Sequence, residues 1–420
     1  RVGSLSRRMG VYAFALIAPF IALCAALAHP RDLATRNVVW IFVIFYGAVF
    51  FIAPESGADS VRYAAYLEQL HTPGFGLKEL IGEFFAEGSK LQDIYQPLLT
   101  FFVSVFTDRH WLLFASFGVL LGYVFSRNIW FLIDRTPRNA HLAAWLFIIA
   151  FAFHQDIGSS INGVRMWTAL HVFLFGFLHF YESGKRIYLL GMLLTPLIHY
   201  SFYLPLALLA LFHFVKKYPL AVFAFFLVSF GNVIIDVGLV RQAINLIPLP
   251  LEMRASSYLA GGEAAQRALN AGWGGGIWFL QLNRFFLEAF MIITVSWFIW
   301  RGAYKSSPLI RNVLVFAMLS YGAINMLSHI PSLGRFYTIP QMMILAALVL
   351  FIGQSEKVKK VDRQILMGLA PLLAINVALG LRFMLGFASI WLFIGNLLVA
   401  PFVDANVAAY DAIKGFFFGG

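Results

Sequence analysis

"SSINGVRMWTALHVF", residues 159–173, puts an arginine in the first turn of a long apolar run that continues to Tyr181. A guanidinium beside hydrocarbon is costly, so something must hold Arg165 and Arg165 must hold something. Reading outward from this stretch decides the fold class. Apolar runs of similar length recur along all 420 residues, of which 60% are hydrophobic and only 12% charged. A soluble domain carries about 25% charged residues. The reading is an all-α polytopic membrane protein, with about 11 to 14 transmembrane helices once re-entrant or broken segments are counted.

Membrane segments are expected near 11–28, 37–53, 111–133, 141–157, 163–182, 187–214, 218–237, 278–300, 312–330, 336–353, 364–380 and 383–402. Arg1, Arg7 and Arg8 precede the first run, and "ALA" at 26–28 imitates a signal-peptidase site. The run is read as a first membrane helix. One domain is expected over 1–420, with its two long extramembrane stretches near 54–110 and 238–277, and no space for a soluble domain of ordinary size. Cys24 is the single cysteine, so no intramolecular disulfide exists. The net charge of +11 is the positive-inside bias of a membrane protein and not a nucleic-acid footprint.

Five basic groups fix sidedness: Arg135 with Arg138, Lys185 with Arg186, Lys216 with Lys217, Arg301 with Lys305 and Arg311, and Lys357, Lys359, Lys360 and Arg363. Placing all five in the cytoplasm puts 54–110, 154–165, 238–277 and 329–336 on the other face. This scheme sends Arg1, Arg7 and Arg8 outside, against the trend. Parity then constrains two stretches. The run 96–107 reaches only about 18 Å as helix, too short to span, so it is interfacial or re-entrant. Between Arg186 and Lys216 the number of crossings must be even, yet 187–214 reaches about 42 Å as helix where two full crossings need about 60 Å. A pair of short helices is expected, broken near Pro196 and Pro205, with His199 at the break.

The outer face collects the candidate chemistry. Asp59, Arg62, Tyr63 and Tyr66 in "ESGADSVRYAAYLEQL" share one helix face. Asn162 and Arg165 open one membrane helix, and Arg335 in "PSLGRFYTIP" opens another. Asn283 and Arg284 lie one to two turns into the helix leaving 238–277, a loop that also carries Arg254 and Arg267. Arginine forks at helix N-termini suit phosphate or pyrophosphate. Blander roles exist for each: snorkelling for Arg165, N-capping for Asp59, interfacial anchoring for Tyr63 and Tyr66, a satisfied buried ring for His199. No phosphate-binding loop, nucleophile elbow, zinc-protease motif or metal-ligand spacing is present, and "GWGGG" at 272–276 reads as a loop.

Four short motifs in order complete the reading: "GADSVRYAAY" at 57–66, "SSINGVRMWTALHV" at 159–172, "LIHYSFYLPL" at 197–206 and "LGRFY" at 333–337. This series resembles the EpsG-like group of Wzy-type polysaccharide polymerases over roughly residues 40–350. "NGVRMW" departs from that group's usual pattern, with Met166 where a glutamine is common. The resemblance implies a GT-C-like glycosyltransferase of the bacterial inner membrane, multi-pass, with its active site facing the periplasm. It implies undecaprenyl-pyrophosphate-linked oligosaccharides as substrates in a lipid bilayer, a chain-length regulator as a partner, and neither cofactor nor metal. Under it, Arg165 and Arg335 meet the pyrophosphate, with Arg284 as a third, and Asp59 or His199 serves the acceptor hydroxyl. Arg62, Tyr63, Tyr66, Asn162, Tyr200, Asn283 and Arg254 are the expected substrate contacts. Rival expectations are another polyprenyl-linked glycosyltransferase or O-antigen ligase, a polysaccharide flippase or transporter, and a membrane-bound acyltransferase. A flippase would show internal repeats and midplane charges, an acyltransferase a histidine in a cytoplasm-linked tunnel.

Overall fold

A computed structural model describes residues 2–53, 58–86, 91, 93–231, 277–328, 330, 333–354, 360–403 and 406–418. The chain is an all-α polytopic membrane protein. Its helices are α1 (Val2–Ile17), α2 (Pro19–Leu27), α3 (Thr35–Ala48), α4 (Asp59–Leu70), α5 (Leu77–Phe85), α6 (Tyr95–Ser104), α7 (His110–Asp134), α8 (Leu142–His154) and α9 (Ile157–Asn162). They continue as α10 (Val164–Ser183), α11 (Arg186–Leu193), α12 (Thr195–Ile198), α13 (Tyr203–Val215), α14 (Pro219–Val228), α15 (Trp278–Trp300) and α16 (Pro308–Met326). The last are α17 (Thr338–Gly353), α18 (Lys360–Leu369), α19 (Ala374–Gly386), α20 (Trp391–Ile394) and α21 (Ala409–Phe418).

Among the described residues, six helical stretches are long and apolar enough to cross a membrane: 110–134, 142–162, 278–300, 308–326, 333–353 and 360–386. Helix α17 is the centre of the bundle, buried from Ile339 to Ile352. A helix buried all round cannot be amphipathic, and its sequence "TIPQMMILAALVLFIG" has no polar face. The pair α3–α7 packs backbone to backbone. A Cβ on Gly118 would stand 2.7 Å from the Ile44 Cα, and one on Gly122 2.8 Å from the Val43 side chain. This Gly-x-x-x-Gly spacing permits the close crossing common between membrane helices.

Described members of the basic groups gather at one end of the bundle; Lys357 and Lys359 lie outside the described residues. Arg135 pairs with Glu182 at the foot of α10. Its carbonyl meets Gly353 at the end of α17. Arg301 pairs with Asp362 at the start of α18. Lys217, Lys305 and Arg311 line one cavity.

Residues 186–215 form the expected pair of short helices. Both open ends return to the foot of α10: the Tyr188 ring lies 5.0 Å from His179, and Phe212 lies 5.6 Å from Tyr181. His199 is the break, with extended backbone at φ −150°, ψ 112°, between α12 and a 3₁₀ turn at Tyr200–Phe202. Helix α6 has 10 residues and does not span.

Two segments differ from expectation. Residues 11–28 are not one crossing. Pro19 removes a donor and α1 turns back into α2. Both arms end beside the start of α3, where Asn37 Nδ2 donates to the Tyr12 hydroxyl (2.8 Å) and Thr35 Oγ1 to the Ala26 carbonyl (3.3 Å). Arg127, two turns from Arg135 on α7, donates to the Asn37 Oδ1 (2.6 Å). Tyr12 on α1 therefore lies at the basic end, while Arg1 lies outside the described residues. Residues 383–402 are not a crossing either. The helical stretch 360–386, turned through a short 3₁₀ segment at Ala370–Leu373, supplies the last one. The chain then stays at the far end, where Phe50 bridges Ala388 and Ser389 bridges Ala408. Gly386, Gly395 and Pro401 break that apolar run into pieces too short to span.

Candidate functional site

At the end opposite the basic groups, three segments far apart in sequence meet on one carboxylate. Asp93, in the loop before α6, is 1% exposed. Its Oδ2 accepts from Arg165 Nη1 (3.0 Å) and lies 3.1 Å from His199 Nδ1. Its Oδ1 accepts from the Tyr200 backbone N–H (2.7 Å). The neighbouring Ile94 N–H donates to the Leu197 carbonyl (2.9 Å), which ties the loop to the break. Arg165 Nε donates to the Tyr63 hydroxyl (3.3 Å), and the guanidinium lies 6.0 Å from the Tyr63 ring centroid.

Local sequence explains each placement. Asn162 ends α9 and Gly163 separates it from α10, so Arg165 falls in a first turn whose N–H groups lack intrahelical partners. Asn162 Oδ1 accepts from the Ser60 N–H (3.1 Å), fixing α4 against this turn and aiming Tyr63 at Arg165. Pro196 near the end of the α11–α12 arm and the extended His199 let the imidazole turn toward the loop.

Burial pushes the Asp93 carboxyl up. The hydrogen bond and charge of His199, the Arg165 charge and the Tyr200 N–H outweigh that and hold it below the usual carboxylate range. For the Tyr63 phenol, burial dominates over the Arg165 charge and hydrogen bond, and its pKa is raised. With neutral imidazole, a carboxylate at Nδ1 selects the Nδ1–H tautomer and leaves the basic lone pair on Nε2. Asp93 and Arg165 cancel in charge, so a protonated His199 makes the cluster cationic.

The other candidates scatter around this cluster. Asp59 pairs with Arg62 across the first turn of α4. The Tyr66 hydroxyl donates to Glu83 (3.0 Å) on α5 and does not reach Arg165. Arg335 is exposed in a 3₁₀ turn at Leu333–Tyr337, and its neighbour Phe336 packs on Phe202 at 5.8 Å, three residues past His199. Arg284 pairs with Glu288 (2.7 Å) within electrostatic reach of Tyr337. Asn283 faces a different cavity, with His154, Asp156 and Trp167. Arg254 and Arg267, with most of the 238–277 loop, lie outside the described residues. No group of three or more metal-ligating side chains occurs among the described residues.

Sequence reasoning passed over Asp93. In "LQDIYQPLL" it is one of several acids in 54–110, and nothing local distinguishes it. The usable signal was indirect: an arginine at a buried helix start needs a counter-charge from the same face. Comparison with protein-family models, curated proteins and solved structures finds none that matches this chain.

Proposed function

We propose that the protein is a polysaccharide polymerase, joining undecaprenyl-pyrophosphate-linked oligosaccharide repeat units on the periplasmic side of a bacterial inner membrane. The observation that carries the reading is the Asp93 carboxylate shared by Arg165 and His199 at a helix break, opposite the basic end. The order of the four motifs that resemble the EpsG-like group supports it, since three of them supply Tyr63, Arg165 and His199 to one place. The basic end is then cytoplasmic, by the positive-inside trend.

The acceptor hydroxyl oxygen attacks the anomeric carbon of the donor sugar. The bond from that carbon to the pyrophosphate oxygen breaks, and the lipid pyrophosphate leaves with the bonding pair. His199 Nε2 takes the hydroxyl proton, while Asp93 holds the ring and stabilises the imidazolium. Charge grows on phosphate oxygens, and arginines arranged before the reaction lower that barrier most where water is excluded. Arg165 is aligned for this by Asp93 and Tyr63, and exposed Arg335 adjoins the same break. Asp59, held by Arg62, is the weaker choice of base. The short arms 186–198 and 200–215 leave the break below full membrane depth, a natural place for a lipid-borne head group.

The direct test incubates purified protein with a lipid-pyrophosphate oligosaccharide and resolves products on a gel. A ladder of repeat-unit spacing is expected from the wild type, and single units from Arg165→Ala and His199→Ala at normal protein levels. A wild-type ladder from Arg165→Ala refutes the assignment. Transfer only to a lipid A core acceptor makes the enzyme a ligase.

A further inference from the structure

A polar cavity lies at the same end of the bundle as Asp93, on the other side of α10 from it. It has a volume of about 240 Å³ and is walled by α8 and the turn after it, by α15 and by α19. Trp167 stands two residues beyond Arg165 and so points away from it around the helix. Its indole is half-buried in the cavity wall, packed so tightly on the α9–α10 junction that a Cβ on Gly163 would stand 2.8 Å from Nε1. Around it are the amides of Gln155, Asn283 and Asn376 and the carboxylate of Asp156.

These polar groups are held as a built site. His154 lies 3.1 Å from Asn376 Oδ1 and 2.9 Å from Gln341 Oε1. Asp156 Oδ1 accepts from the Ser159 N–H (2.9 Å). One atom stands apart. Asn283 Oδ1 is buried and has no hydrogen-bond partner among the described residues. A buried carbonyl oxygen left unpaired costs about 1–3 kcal/mol, a cost a ligand donor relieves.

We infer that this cavity is a carbohydrate subsite that seats one pyranose of the acceptor chain, a ring other than the one whose hydroxyl gives its proton to His199. Among the described residues its lining contains no lysine or arginine, which favours a neutral ligand over pyrophosphate. Planar amides and a carboxylate match vicinal hydroxyls, which donate and accept together, and an indole face matches the C–H face of a sugar ring. The volume is that of about eight waters at about 30 Å³ each, enough for a single ring and not for a chain. Because Arg165 and Trp167 leave the same helix turn in different directions, phosphate chemistry and sugar recognition are set on opposite sides of one rigid element. This assignment to the acceptor rests on the polymerase reading; the sugar site itself does not.

The test uses full-length protein in detergent and a panel of methyl glycosides of common hexoses and N-acetylhexosamines, read by saturation-transfer NMR. At least one glycoside should show transfer, lost in Asn283→Ala and in Trp167→Leu and retained in His199→Ala. Leu280→Trp, which narrows the cavity without removing a hydrogen bond, should abolish it as well and guards against misfolding of the first two. With the lipid-linked donor, these three variants should raise the acceptor concentration for half-maximal rate at least tenfold and leave that of the donor unchanged. No transfer from any glycoside, or transfer unaltered in Leu280→Trp, overturns the subsite. Glycoside binding at this cavity without turnover of the donor removes the polymerase reading and leaves the subsite standing. Turnover indifferent to all three variants does the reverse.

Discussion

Two arginine–aspartate pairs, each with a buried carboxylate, sit at opposite ends of the bundle and are built differently. At the basic end Arg301 meets Asp362 through Nε (2.9 Å) and Nη2 (3.0 Å), a closed bidentate fork. Asp362 lies in the first turn of α18, where a carboxylate also favours the helix dipole. At the far end Arg165 gives Asp93 only Nη1 and gives Nε to Tyr63, while Asp93 divides its oxygens among Arg165, His199 and Tyr200. The first pair matches two guanidinium nitrogens to two carboxylate oxygens and joins two helix ends. The second couples three remote segments and holds an imidazole and a guanidinium in fixed relation. A shared carboxylate with a titratable partner is the arrangement expected of chemistry, a closed fork that of architecture.

The largest expected effect separates the two. Removing Asp93 leaves Arg165 with an uncompensated charge in a largely buried site, at a cost of about 3–5 kcal/mol, and removing Asp362 takes away the fork that joins two helix ends. Asp93→Ala and Asp362→Ala should therefore both lower the melting temperature in detergent. Per folded molecule, only Asp93→Ala should lose polymer formation, by at least about 10²-fold. Equal activity losses would erase the distinction. Next comes His199→Gln, which keeps a hydrogen-bonding side chain toward Asp93 but has no basic lone pair. A rate loss of about 10²–10⁴ is expected with little change in melting temperature. A loss matched by unfolding would make His199 a structural ring.

How much of this was legible follows from what sequence can encode. Helix positions came through because burial in lipid demands long apolar runs, and the 186–215 hairpin because charge parity and length conflicted. The 383–402 run was misread because mean apolarity hides the glycines that end a helix, and α1–α2 because one proline in an apolar run reads equally as kink or turn-back. At the site, Arg165 and His199 were visible as costly residues in apolar settings. Asp93 was not, since its meaning arises only when the loop folds over the break. The Trp167 cavity was half-visible: Asn283 stood out near a helix start, while Asp156 and Asn376 look like ordinary cap and helix residues until α8, α15 and α19 assemble.

Arginine geometry gives a sharper, smaller test. Lysine keeps charge but loses the planar set of donors. Arg301→Lys should lower the melting temperature only slightly and cost no activity, because a point charge still neutralises Asp362. Arg165→Lys cannot serve Asp93 and Tyr63 in the same alignment, so shorter glycans at normal protein levels are expected. Glycan length profiles and melting curves of the two variants, taken together, check both halves.

The smallest effects lie with pH. The Asp93 carboxyl is held below its usual range, so the folded state binds its proton less readily than the unfolded chain does. Its contribution is present above about pH 3.9, the ordinary carboxylate value, and is lost as pH falls through the depressed folded value. Between pH 5 and 7 Asp93 should contribute no pH dependence to stability. Below about pH 3.9 the wild type should lose melting temperature faster than Asp93→Asn, whose amide does not titrate. The difference between the two curves isolates this one group from every other acid in the chain. Two curves that stay parallel below about pH 3.9 would mean that the carboxyl is not held charged by Arg165 and His199, and the three-way junction would lose the electrostatic character that sets it apart from the Arg301 fork.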